Sequence, residues 1–318
     1  MKFIFHHKFL QHDTGMHPEN ARRLAAFRDL SDKNLVMDLE PILAVHDAGY
    51  VEKVQRYAAL GHPLDGDTHL CLASFDAAVL AANATIAAAE SGDFALVRPP
   101  GHHAYADYGS GFCLFNNMAI AAHDLVKKGY RVAILDFDGH FGDGTDALCA
   151  DEPQIMYCSV HQHPAFPHKG SYRDIGKGAA AGTEIKMGLP PGTGDDVLFV
   201  AMDFIYDVID AFNPDIVGIS AGFDGHIYDP LLDLRFSSKS FYDMGIQLRE
   251  RYPRSFAVLE GGYNLEILPQ CITNFMAGMN GEPCPFPSES THSTIQTREI
   301  VDFEMYDLRR LLLPYWSL

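Results

Sequence analysis

The chain has 318 residues, 47% hydrophobic and 21% charged, which is enough apolar material for a large buried core and excludes long disorder. Its formal net charge is -18, and its basic residues cluster no further than pairs such as Arg22-Arg23, Lys127-Lys128 and Arg309-Arg310, which excludes a nucleic-acid binder built on a basic stripe. The acidic excess suits solubility or the attraction of cationic substrates. No run approaches the ~18 apolar residues of a membrane span, and the apolar start Met1–His7 is shorter than a signal peptide's core. The six cysteines include no C-x-x-C pair and sit mostly among apolar neighbours, so reduced thiols and a cytoplasmic setting are expected.

In chain order, short apolar runs alternate with longer helical stretches. Lys2–Phe5 is the first expected strand. Ser74 is read as the N-cap of an alanine-rich helix to Ser91, ended by Gly92. Strands follow at Phe94–Val97 and Arg131–Leu135, separated by a helix over Asn116–Lys128. Ile155–Val160 and Glu184–Met187 come next, then a helix over Asp195–Phe212 that stops before Asn213-Pro214. The last strands are Ile216–Ser220 and Phe256–Leu259. A glycine-, proline- and serine-bearing loop at Gly281–Ser293 leads to a final helix over Thr297–Leu313. Near-continuous apolar strands alternating with helices predict one α/β domain over residues 1–318, a doubly wound, mostly parallel sheet flanked by helices.

Ligands of such sheets bind beyond the carboxyl ends of the strands. Four of these ends carry chemistry: His102-His103, then Asp136 to His140, then Asp224, then Glu260 to Asn264 with Tyr263. Alternation along extended chain would point Asp136, Asp138 and His140 the same way. Asp138 and His140, with Asp224 from a neighbouring strand, then match the three ligands and open position of a catalytic zinc site. The hard donor set also admits iron(II), cobalt(II) or manganese(II). The plainer reading is that these aspartates cap turns. Tandem His102 and His103 suit general base and acid, each with a carboxylate on its far nitrogen, and Asp136 and Asp143 are available for that. Tyr263, after two glycines, can donate to an oxyanion, or be an ordinary core tyrosine.

In this order and spacing the segments resemble the zinc-dependent histone deacetylase family, which includes acetylpolyamine amidohydrolases and acetoin-utilisation-type proteins. His17-Pro18-Glu19, Gly111 to Asn117, Ser159-Val160-His161 and Phe166-Pro167 add to the match, which runs from His17 to Asn264. The resemblance implies an arginase–deacetylase fold and zinc on Asp138, His140 and Asp224. It implies that His102 and His103 act with Asp136 and Asp143, that Tyr263 polarises the scissile carbonyl, and that Phe112 and Phe166 wall a narrow channel, with Gly111, Gly262 and Leu231 along it. A structural potassium ion is expected near Asp136, Asp138, His140 and Ser159, largely through backbone carbonyls. The chain departs from the family at Phe141, where a second histidine is usual, and at Gly139, which replaces a branched residue and is expected to loosen the strand.

The implied activity is hydrolysis of an acetyl or related acyl group from acetyl-lysine or a similar acylated amine. Leu231, where polyamine-specific relatives place an acidic gatekeeper, favours acetyl-lysine; Asp65, Asp67 and the net charge favour acetylpolyamines. An arginase-like ureohydrolase would need more bridging carboxylates and histidines than the Asp136–His140 segment has. A non-catalytic acyl-amine-binding protein would not need Asp138, His140, Asp224 and Tyr263 together. His161–His168 is weighed, and disfavoured, as a second metal site for lack of a fourth partner.

Overall fold

The computed structural model describes residues 1–318. Its elements run β1 (Phe3–Ile4), α1 (Lys8–Gln11), a 3-10 helix (Ala21–Phe27), α2 (Glu40–Leu43), α3 (Ala48–Leu60), α4 (Ser74–Ser91), β2 (Phe94–Ala95) and α5 (Asn117–Lys127). They continue with β3 (Val132–Asp136), α6 (Asp143–Cys149), β4 (Ile155–Gln162), a 3-10 turn (Gly178–Ala180), β5 (Glu184–Leu189), α7 (Asp195–Phe212) and β6 (Ile216–Ala221). The last are α8 (Ser238–Arg251), β7 (Ser255–Leu259), α9 (Leu268–Asn280) and α10 (Ile295–Leu312). All seven expected strands form, in one sheet of order β1-β2-β7-β6-β3-β4-β5 with every pairing parallel.

Every residue of β3 to β7 is buried, because helices cover both faces, and this is why several of those segments read as near-continuous apolar runs; β5 also buries Glu184 and Lys186, which pair with each other. From β3 the chain winds one way through β4 and β5, then crosses back to β6 and β7 on the other side. The winding reverses between β3 and β6, which leaves a crevice outside their carboxyl ends.

Helix ends follow capping chemistry. Asn116 accepts the Ala119 N–H and starts α5; Gly92 and Asn213 end α4 and α7 in left-handed conformations. Ser74 is not the N-cap of α4 but its first helical residue. Its Oγ instead accepts the Cys71 N–H at 2.7 Å and lies 2.7 Å from His12 Nδ1. The final helix begins two residues earlier than expected, because Thr294 accepts the Thr297 N–H. The preceding loop is tied down: Thr291 and Ser293 accept the N–H groups of Asp195 and Gly194 at the start of α7. All six cysteines are free. No helix is long and apolar enough to cross a membrane.

Candidate active site

β3 stops at Asp136, and the chain beyond it turns instead of staying extended. Asp136 Oδ1 accepts the Asp138 N–H at 3.0 Å, and Asp138 Oδ1 accepts the His140 N–H at 2.9 Å. Each aspartate thus bends the backbone two residues on. Asp138 and His140 converge through these turns and not through strand alternation, while Asp136 serves His102. Asp224 arrives from the end of β6, and its Oδ1 accepts the Gly139 N–H at 2.7 Å. His140 Nδ1 lies 2.8 Å from Asp224 Oδ2 and 3.3 Å from Asp138 Oδ1. One donor atom from each of the three lies within 4.8 Å of the others.

Asp138 and Asp224 are both wholly buried. Two carboxylates at one buried point are unfavourable unless positive charge joins them. Burial alone would lower the His140 pKa, but Asp224 and Asp138 raise it to about 10. Burial likewise opposes ionised Asp138, yet His102 and His140 hold its pKa well below the usual range. The pocket is therefore built for a cation, and two carboxylates with one imidazole fit a divalent metal with open positions. Phe141 takes no part: its ring packs on His161 and Tyr157, with centroids 4.9 and 6.1 Å apart.

His102 Nδ1 lies 3.2 Å from Asp136 Oδ2, and His103 Nδ1 lies 2.8 Å from Asp143 Oδ1. Both dyads expected from the sequence are present. Burial works against a charged His102, but Asp138 and Asp136 outweigh it and raise its pKa well above the ordinary value. Burial first, then the charge of His102, lowers His103 to about 4. The two adjacent rings, 4.0 Å apart, are thus pushed in opposite directions by their neighbours.

A cavity of about 280 Å³ leads down to this point, lined by Asp65, Asp67, Ser110, Gly111, Phe112, Phe166 and Leu231, with His103, His140 and Tyr263 at its floor. Gly111 has φ +51, and a Cβ there would come within 2.5 Å of the His103 ring, so only glycine lets this wall pass. Phe112, also at positive φ (71), is held by Tyr263 and His17, with ring centroids 5.6 and 4.5 Å away. Gly262, expected along the channel, is not part of its lining. It turns the backbone beneath the cavity, and its carbonyl accepts from Arg23.

Of the expected potassium neighbourhood, Asp136 and Ser159 are register partners across β3 and β4, and Ser159 Oγ lies 2.9 Å from His161 Nδ1. None of the metal-competent clusters includes His161, His163 or His168.

Several supporting residues went unread in the sequence. Tyr105 donates to Asp143 Oδ2 at 2.7 Å, and Lys169 donates to the same oxygen at 3.2 Å. Tyr157 donates to Asp136 Oδ2 at 2.9 Å. Asp229 accepts the Tyr263 N–H at 2.7 Å. Glu260, fully buried, accepts the Gly101 and His102 N–H groups at 2.7 and 3.2 Å, and burial raises its pKa to about 7. Arg23 donates to the carbonyls of Glu260 and Gly262 at 2.6 and 2.7 Å and lies over the Tyr263 ring. Glu260 was read only as the start of the fourth strand end, without a role; Asp229 neighbours a motif, which was the available signal, and Tyr105 and Lys169 had none.

Cation-binding carboxylates, oriented imidazoles and a phenol meeting at the foot of a narrow channel belong to hydrolases that attack an amide with water beside a metal ion. A model of the histone deacetylase domain matches residues 17–279. The chain is 36% identical over 307 residues to a probable deacetylase of Archaeoglobus fulgidus, covering 87% of this chain and 86% of the relative. It is 33% identical over 280 residues to the histone deacetylase-like amidohydrolase of Pseudomonas aeruginosa, covering 80% and 73%. Among solved structures, the HDA15 HD domain superposes with TM-score 0.89 at 28% identity, covering 99% of this chain and 96% of that one. The acetylpolyamine aminohydrolase of Burkholderia pseudomallei gives TM-score 0.80 at 27% identity, covering 88% and 98%. The chain belongs to the histone deacetylase family, and it is a hydrolase acting on the amide bonds of acetylated amines.

Proposed function

We propose that residues 1–318 form one catalytic domain that removes acetyl or related acyl groups from acyl-lysine side chains, using zinc held by Asp138, His140 and Asp224. The observation that carries this reading is the convergence of those three side chains on one buried point at the floor of the channel. The same donors suit iron(II) or cobalt(II). When bound, the ion supplies Lewis-acid polarisation of the amide carbonyl and of water.

The chain's own residues do the rest. His103 reaches the cavity floor with Nδ1 engaged by Asp143, so Nε2 is its free position to take the proton of the attacking water. His102, deeper and next to Asp136, supplies positive charge beside the reacting centre. The Tyr263 hydroxyl donates to the carbonyl oxygen as it gains charge. The proton held at the histidines then leaves with the amine. Phe112 and Phe166 exclude water from the acyl-bearing chain. A potassium ion beside Asp136, Asp138, His140 and Ser159 is part of the proposal, as is a reducing cytoplasmic setting, which the six free thiols support.

Leu231 at the channel mouth favours a neutral peptide neighbourhood over a polyamine. A second reading, a small acetylated polyamine, is favoured by Asp65 and Asp67 on the same rim. Tyr263→Phe tests the core of the proposal. Turnover of an acetyl-lysine peptide should fall about 100- to 1,000-fold, the range for losing one oxyanion donor, with metal per chain unchanged. Undiminished turnover would remove Tyr263 from the mechanism.

A further inference from the structure

The last helix covers the sheet edge at β5 with one side only. Thr297, Val301, Leu308 and Leu312 of α10 are buried. On the opposite side Ile295, Phe303 and Tyr306 are 73%, 61% and 63% exposed, and Leu313, just past the helix, is also exposed. Beside them lies a shallow hollow bounded by Gln296, Glu299, Ile300, Phe303 and Glu304. Exposed large apolar side chains recurring along one helix face, interleaved with Glu299 and Arg310, suit a contact surface.

Its pattern identifies the partner. Gln296, Glu299, Phe303, Tyr306, Arg310 and Leu313 recur at alternating intervals of three and four, the spacing of a coiled-coil seam. The seam is acidic toward one end, aromatic in the middle and basic toward the other, so it complements itself when turned end for end. A two-fold axis passing between Glu304 and Met305 sets Phe303 on Tyr306 of the second copy, Glu299 against Arg310, and Gln296 against Leu313. Symmetry makes each pair twice. A parallel pairing would instead oppose Glu299 to Glu299 and Arg310 to Arg310. Within the chain the ion pairs of α10 join Arg298, Arg309 and Arg310 to Asp196, Asp207 and Asp307, with Arg173 also near Asp307, and none uses Glu299. Its carboxylate is free for a second copy.

We propose that α10 is the interface of a two-fold homodimer, packed antiparallel on its own copy. One pair of 18-residue helices lies at the small end of stable interfaces, so the dimer exchanges with monomer as concentration changes. The sheet edge at β5 lies two strands from β3, so both channel mouths stay open.

Sedimentation velocity on the full chain over a wide concentration range tests this. The wild-type mass should rise from 35.2 kDa toward twice that value. Glu299→Arg and Arg310→Glu should each hold the chain monomeric at every concentration. The double variant, which reverses the pair instead of removing it, should dimerise again. All four proteins should deacetylate alike. A wild-type chain that stays monomeric overturns the proposal, as does a dimer unmoved by either reversal. A double variant no more dimeric than the single ones overturns the antiparallel register.

Discussion

At Gly139 the missing side chain leaves room for Leu232 and Asp224. A Cβ there would strike the Leu232 side chain and come within 3.0 Å of Asp224 Oδ1, which accepts the Gly139 N–H. The strand has already ended at Asp136, so the glycine expected to loosen it lies in the turn beyond, where its N–H donates to Asp224. Asp138, His140 and Asp224 were legible because they follow strand ends at spacings that resemble a known family. The residues that tune them were not. Tyr105 and Lys169 reach Asp143 from 38 and 26 positions away, and no local pattern marks either. Arg22 and Arg23 are indistinguishable in sequence, yet only Arg23 is buried.

Strands such as β3, β6 and β7 were readable because burial on both faces leaves little room for polar residues. The four-residue helices α1 and α2 are too short for a periodic signal. Neither α3 nor α9 has a side-chain cap at its start, whereas α8 has one in Ser237 that went unread. Between the elements, Glu19 is the main tie. It receives Arg23 from the 3-10 helix at 3.1 Å and Arg98 from beyond β2 at 2.7 Å, all buried. Through Arg23 it also braces the segment that carries Tyr263. Burial would raise the Glu19 pKa, but Arg98 leads the groups that bring it down to about 2. Glu19→Gln leaves two buried guanidinium groups short of charge and should lower unfolding stability by about 3–5 kcal/mol. Urea unfolding checks this; a loss below about 1 kcal/mol would mean that water or carbonyls neutralise the cluster instead.

Across the whole molecule, opposing proton linkages meet. Burial lowers His12, His46 and His226 to about 4, while burial raises Asp146, Asp229 and Glu260 to about 7. As pH falls, such histidines weaken the fold and such carboxylates strengthen it, so total stability conceals both. A single site separates them. His46 Nδ1 donates to the Tyr105 carbonyl at 2.8 Å and Nε2 accepts the Asn116 N–H at 2.9 Å, a pairing that only the neutral ring makes. Its folded pKa lies below its unfolded one, near 6.5. Above pH 6.5 neither state holds the extra proton; between 6.5 and about 4 only the unfolded chain does, and the contribution of His46 is lost. The stability difference between wild type and His46→Gln should thus shrink by up to ~1.4 kcal/mol per pH unit as pH falls through that window. A difference constant with pH would contradict the neutral assignment.

The most direct test of the hydrolase account is acetate release by the zinc-loaded protein from acetyl-lysine peptides and N-acetylated polyamines side by side, each with a chelated control. The account predicts chelator-sensitive release, faster from the peptides. Release confined to polyamines would mean that Asp65 and Asp67, and not Leu231, set the substrate, and no release from either would contradict the proposed deacetylase chemistry.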